Sequence, residues 1–190
     1  MAEQHERAKA AFGRALTRWQ ELMDRPEFNQ RQVGALDPEQ AANLLDLGHM
    51  TAVEALLWAR AFSDAARGCD GIDALRGYPK KIPDLPPEIK AARYAANKGV
   101  HLLVELAEVG YVADGPAGWG MGAWGAGLSA PVLRWVVDKS KLPPVMVGKN
   151  KLPDRADQDL RDRFAARWCG EPVAAGLSEV EAHLKHWCPD

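Results

Sequence analysis

The sequence predicts an all-α protein, a helical bundle with a small β-hairpin insertion and a C-terminal helical pair. Three observations carry the prediction. Apolar residues recur at helical spacing over three long segments before residue 110, a Gly/Trp-rich stretch and a Val- and Lys-rich stretch follow them, and two amphipathic segments close the chain. The 190 residues thus divide into a helical core at 1–112, a loop and basic hairpin at 113–153, and a C-terminal pair at 154–190 packed on the core.

The first helix is predicted from about Glu3 to Arg25, where Ala8, Phe12, Ala15, Trp19, Leu22 and Met23 form one face before Pro26 stops it. The second opens at Asp37-Pro38, an N-cap followed by proline at the first helical position, and runs through Leu44, Leu45, Leu47, Val53, Leu56, Leu57 and Phe62 to Gly68. Residues 69–87, rich in Gly, Pro and Lys, read as a connection. A third helix is predicted from about Pro87 to Val109, its apolar stripe formed by Ile89, Ala92, Ala96, Val100, Leu103 and Ala107, with Gly110 as its stop. Each stripe needs the other helices to bury it, so Trp19, Leu57 and Leu103 are expected in the core, with the Gly/Trp segment and the hairpin outside the bundle.

The glycines of GPAGWGMGAWGAG exclude a regular helix beyond Tyr111. Val132 to Val137 and Pro144 to Val147 are predicted as the two strands of the hairpin. Asp154 to Cys169 reads as a helix with Leu160, Phe164 and Trp168 spaced by four. The last helix is predicted from Ser178, whose Glu181 completes a capping box before Leu184 and Trp187.

Composition bounds the function. The hydrophobic fraction of 47%, 26% charged residues and a net charge of −2 describe a globular chain that needs neither nucleic acid nor membrane as partner. The N-terminus is charged from its third residue and has no apolar run of signal-peptide length, and the uncharged run between Asp114 and Arg134 is interrupted by Gly and Pro. A cytoplasmic protein without membrane contact is expected. Cys69, Cys169 and Cys188 are an odd, sparse set that reads as reduced thiols.

Two cofactor patterns fail on context. Gly120, Gly122 and Gly125 match GxGxxG, but Pro131 follows too soon for the helix whose N-terminus would hold a pyrophosphate. Cys169, His183, His186 and Cys188 supply zinc-ligand types at irregular spacing, without the close second cysteine of zinc modules. No cofactor and no metal are expected. Arg134, Lys139, Lys141, Lys149, Lys151 and Arg155 against Asp138 and Asp154 give the hairpin region a local charge of +4. With Trp135 for stacking, Lys139, Lys141, Lys149 and Lys151 form a candidate RNA surface; a solvated hairpin is the competing reading.

The third helix carries the candidate site. Spacing of four moves each residue only about 40° round, so Arg93, Asn97 and His101 run along one edge of the stripe. A histidine titrates near neutrality and serves as acid or base, and an arginine stabilises charge developing on a phosphate. RNA cleavage by its own 2′-hydroxyl needs little more. The competing reading is a structural histidine hydrogen-bonded to Asn97 or Glu105.

The segment ANKGVH resembles the motif of the HEPN superfamily, in which Arg, commonly followed by Asn, precedes His with four to six residues between them. Asn97 and His101 match; the residue before Asn97 is Ala96, Ala95 and Tyr94 fill the alternative positions, and Arg93 lies one residue outside the spacing. The resemblance implies a helical bundle that dimerises, in families of metal-independent ribonucleases and of catalytically degenerate binding proteins from toxin–antitoxin and phage-defence systems. The segments LRWVVDKSKLPP and RDRFAARWCGEPV also resemble uncharacterised bacterial proteins with a WRW-type segment. The displaced arginine favours a degenerate, homodimeric binding protein with RNA or another protein as partner; the alternative is an active metal-independent ribonuclease using His101 with Arg93.

Overall fold

The computed structural model describes residues 4–25, 38–69, 74–98, 104–110, 129–147 and 152–189. Helix α1 spans Gln4–Met23 and buries Ala8, Phe12, Ala15, Leu16, Trp19 and Leu22, the face that helical spacing predicts. Helix α2, Pro38–Ala66, has 29 residues, about 44 Å at 1.5 Å per residue. It packs against both α1 and α3, Pro87–Asn97, through the small side chains Ala52, Ala55 and Ala59 together with Leu56 and Phe62. Before α3 the chain makes a 3-10 turn, Ile82–Asp84, and Leu85 is buried behind it.

Strand β1 spans Val104–Gly110 and pairs antiparallel with β2, Ser129–Trp135, in a register that sets Val104 opposite Trp135 and Gly110 opposite Ser129. Helix α4 is Arg155–Arg167, with Asp154 as N-cap accepting from the amides of Ala156 and Asp157. Helix α5 is Val173–Trp187. Among the described residues five α-helices and one two-stranded sheet make an all-α bundle carrying a small β element, as the sequence predicts. No helix among them is long and apolar enough to cross a membrane.

Several expectations are corrected. The third helix stops at Asn97, capped by Lys98, because Val104–Gly110 is strand and not helix. The partner of β2 is therefore β1, while Pro144–Val147 forms no strand and only Val147 bridges, to Pro153. The β element does not lie outside the bundle: Leu133, Trp135 and Val136 are core residues, and Gly48 of α2 is open enough for Leu133 to lie where a Cβ would stand. Finally α5 begins after Pro172, and Ser178 is an interior position, not a cap. Of the three residues expected in the core, Trp19 is buried, Leu57 is exposed at 47%, and Leu103 lies outside the described residues.

The core joins the N-terminal helices to the C-terminal pair in one hydrophobic cluster running from Ala8 to Leu184. Its centre at the β2 end is aromatic. Trp135 stacks on Trp168 with centroids 5.3 Å apart and rings 12° from parallel, Phe164 meets both edge-on, and Tyr94 lies against Phe164. Backbone bonds from Trp135 N to the Glu171 carbonyl (2.9 Å) and from Gly170 N to the Trp135 carbonyl (3.1 Å) tie β2 to the α4–α5 turn, where Gly170 adopts φ +82°.

Candidate functional site

Helix α3 places Arg93 one turn before Asn97, but the two do not share an environment. Arg93 is buried, and its Nη1 donates to Asp64 Oδ1 of α2 at 2.6 Å. Asp64 also receives Arg67 Nη1 at 3.4 Å and lies 3.6 Å from Arg60 Nε. Three guanidiniums thus surround one carboxylate, and Arg93, the most deeply buried of them, is held on the α2 side of its helix, not along an open edge. A short, charge-assisted bond of this kind holds Nη1 on a carboxylate of the same chain, while the buried Nε has no hydrogen-bond partner. Asn97 is exposed in the last turn. Ala96, where the HEPN pattern has its arginine, is 7% exposed and belongs to the core. His101 lies outside the described residues.

The basic surface is also partly revised. Lys139 and Lys141 are exposed on a 3-10 turn, Lys139–Lys141, that follows β2 and is capped by Asp138. Hydrogen bonding to Ser140 holds the Asp138 carboxyl below the usual range. Arg161 of α4 donates to the Lys139 carbonyl at 3.2 Å and so fixes the turn to the bundle. Trp135, expected to stack a base, is only 1% exposed and is already stacked on Trp168, so its faces are closed to a ligand. Lys149 and Lys151 lie outside the described residues, as do Gly120, Gly122 and Gly125.

A polar chain that the sequence gives no sign of links three elements. His183 of α5 sets Nδ1 3.5 Å from Glu88 Oε1 at the start of α3 and Nε2 3.3 Å from the Tyr78 hydroxyl. The neutral tautomer protonated at Nδ1 satisfies both, donating to Glu88 and accepting from Tyr78. Burial pushes the His183 pKa down against the opposing pull of Glu88, and burial pushes the Tyr78 hydroxyl up. Such a carboxylate–imidazole–hydroxyl order is that of a proton relay, but Tyr78 is buried against Phe62 and Trp187 and offers no atom to a substrate. Its role is to satisfy polar groups where α2, α3 and α5 meet. Only residue types with hydrogen-bonding side chains at 78, 88 and 183 could have signalled it, and their sequence separation hides the contact.

Among the described residues no group of three or more His, Cys, Asp or Glu is placed to hold a metal ion. No disulfide joins Cys69, Cys169 and Cys188, and Cys169 and Cys188 are half-buried against the core. Among the described residues the buried charges Lys90, Arg93 and Asp157 each meet an opposite charge from another part of the all-α bundle, Asp159, Asp64 and Lys98 in turn. Compared with protein-family models, curated proteins and solved structures, the chain matches none.

Proposed function

We propose that this chain is a HEPN-like helical-bundle binding protein of toxin–antitoxin or phage-defence type, catalytically degenerate and acting as a homodimer in the cytoplasm. The biological setting rests on the resemblance of ANKGVH to the HEPN motif. The observation that carries the non-catalytic reading is the bond from Arg93 to Asp64, which engages the one arginine near the motif with a carboxylate of its own chain. Moving Arg93 toward a phosphate would leave Asp64 to the two arginines at longer range, a loss of one charge-assisted hydrogen bond worth about 1.5–3 kcal/mol.

Self-association draws support from α2. Leu47, Met50, Leu57 and Trp58 are exposed along it at helical spacing, Met50 at 66%. An antiparallel pairing of two copies about the middle of this helix sets Met50 against Leu57 of the partner subunit and brings Asp46 toward Arg60 of the partner subunit, joining apolar contact to opposite charge. Lys139 and Lys141, outside that face of α2, then supply the charge for an RNA backbone.

The test combines light scattering with a gel shift of labelled RNA in chelator. The reading expects a dimer that Met50→Lys with Leu57→Lys converts to monomer, and RNA that is retarded and intact. A monomeric wild type that leaves RNA unshifted would reject the reading.

A further inference from the structure

A second basic feature lies away from the motif and from the Lys139–Lys141 turn. A cleft of about 510 Å³ opens between the 3-10 turn Ile82–Asp84, helix α3 and the first half of α4. Its walls are Ile82 and Pro83 on one side, Lys90 at the back, and Arg155, Ala156, Asp159 and Arg163 on the other. Arg155, Asp159 and Arg163 are spaced by four on α4 and so present one stripe to the opening. Lys90 is more than nine-tenths buried, an unusual place for an ammonium, and its Nζ meets Asp159 Oδ2 at 2.8 Å. Arg163 Nε lies 3.4 Å from the other oxygen of the same carboxylate. Three cations therefore face the cleft against one carboxylate, and the exposed Lys80 and Lys81 precede its first wall residue. Asp84, the one acid of the turn, does not line it.

The walls are fixed before any ligand arrives. Arg67 of α2 donates Nε to the Lys80 carbonyl at 2.9 Å, Leu85 N closes the turn on the Ile82 carbonyl at 3.1 Å, and Leu85 itself is buried. Asp159 bridges Lys90 and Arg163 and keeps both heads at the cleft, and the attraction of Lys90 first, then Arg163, holds its carboxyl below the ordinary range. A surplus of two positive charges, two of the three cations being planar forks suited to tetrahedral oxyanions, matches a phosphate. Ile82 and Pro83 give an apolar wall beside it, and the volume lies within the range of small-ligand pockets. We propose that this cleft binds a phosphomonoester of nucleotide size, with Arg155 and Arg163 gripping the phosphate, Lys90 supporting it from behind and the Ile82–Pro83 wall receiving the apolar part of the ligand. The phosphate comes from a free nucleotide or from the 5′ end of an RNA strand. The inference is independent of the HEPN-like reading, since none of these residues belongs to that motif.

Calorimetry in phosphate-free buffer at low salt tests it, with AMP, adenosine and a 5′-phosphorylated RNA trinucleotide as probes. AMP is expected to bind and adenosine not to bind. Arg155→Ala with Arg163→Ala, both exposed positions on α4 that leave the core intact, should weaken AMP at least about tenfold, and Lys139→Ala with Lys141→Ala should leave it unchanged. Tighter binding of the trinucleotide than of AMP identifies an RNA end as the source, and equal or weaker binding identifies a free nucleotide; both support the site. No AMP binding by wild type, or equal AMP affinity in wild type and the Arg155/Arg163 variant, overturns it.

Discussion

Gly176→Ala isolates how the aromatic centre of the core was made to fit. Gly176 sits inside α5, where glycine is worth about 0.8–1.0 kcal/mol less than alanine in helix propensity, so propensity alone favours the substitution. Packing opposes it. A Cβ at 176 would stand 2.9 Å from Trp135 Nε1, 2.9 Å from Trp168 Cε2 and 3.1 Å from Trp168 Cδ2. Neither ring has room to retreat: both are 1% exposed, they stack on each other, and Phe164 holds them edge-on. Trp168 is also fixed through its indole N–H, which donates to Glu179 at 2.9 Å. Overpacking a filled core costs about 1–3 kcal/mol, and two immobile rings place this site at the upper end, so the net is a loss of about 2 kcal/mol after the gain in propensity. Gly13→Ala is the control, because Gly13 is an exposed interior position of α1 with nothing within 4 Å of a new Cβ. It should stabilise by roughly 0.8–1.0 kcal/mol. Urea denaturation followed by Trp fluorescence reads both, and the two variants should move the midpoint in opposite directions at similar slopes. A stabilised Gly176→Ala would refute the packing of Trp135 and Trp168 against α5.

Two further outcomes follow from buried groups. Ala96→Arg, which places an arginine where the HEPN pattern has one, puts a cation at a core position and should destabilise the protein by roughly 3 kcal/mol through overpacking and an unpaired charge; thermal unfolding unchanged from wild type would show that position 96 is open to solvent. His183 has a folded pKa below its unfolded value near 6.5, so on acidification the unfolded chain takes the proton first. Stability should therefore be full above about pH 6.5 and fall below it towards the depressed folded pKa, by up to about 1.4 kcal/mol per pH unit from this group. His183→Gln should flatten that part of the urea-midpoint profile, and an identical profile in the variant would remove His183 as its source.

The sequence made α1, α2 and α4 legible because each has an uninterrupted apolar face and a recognisable stop or cap: Pro26 after α1, Pro38 at the start of α2, Asp154 before α4. It misled at β1. The residues of VELAEVG include Glu, Leu and Ala, which favour helix, and only pairing with β2, some 25 residues on, makes them strand. The start of α5 was misplaced because Ser178 and Glu181 match a capping box, whereas Val173, Gly176 and Leu177 are already helical and buried, Gly176 as the gap that admits Trp135 and Trp168. The same reason hid the fate of Arg93 and Trp135. A wheel placed Arg93 at a helix edge, and local charge placed Trp135 beside lysines, but Asp64 and Trp168, the residues that occupy them, come from distant parts of the chain.

The central claim, that Arg93 serves the fold and not a phosphate, is tested most directly by RNA cleavage in the presence of chelator with wild type, Arg93→Ala and His101→Ala, each first shown folded by circular dichroism. The account predicts that all three leave a labelled RNA intact, at the rate of the protein-free control. Metal-independent cleavage by wild type that both substitutions abolish would contradict it.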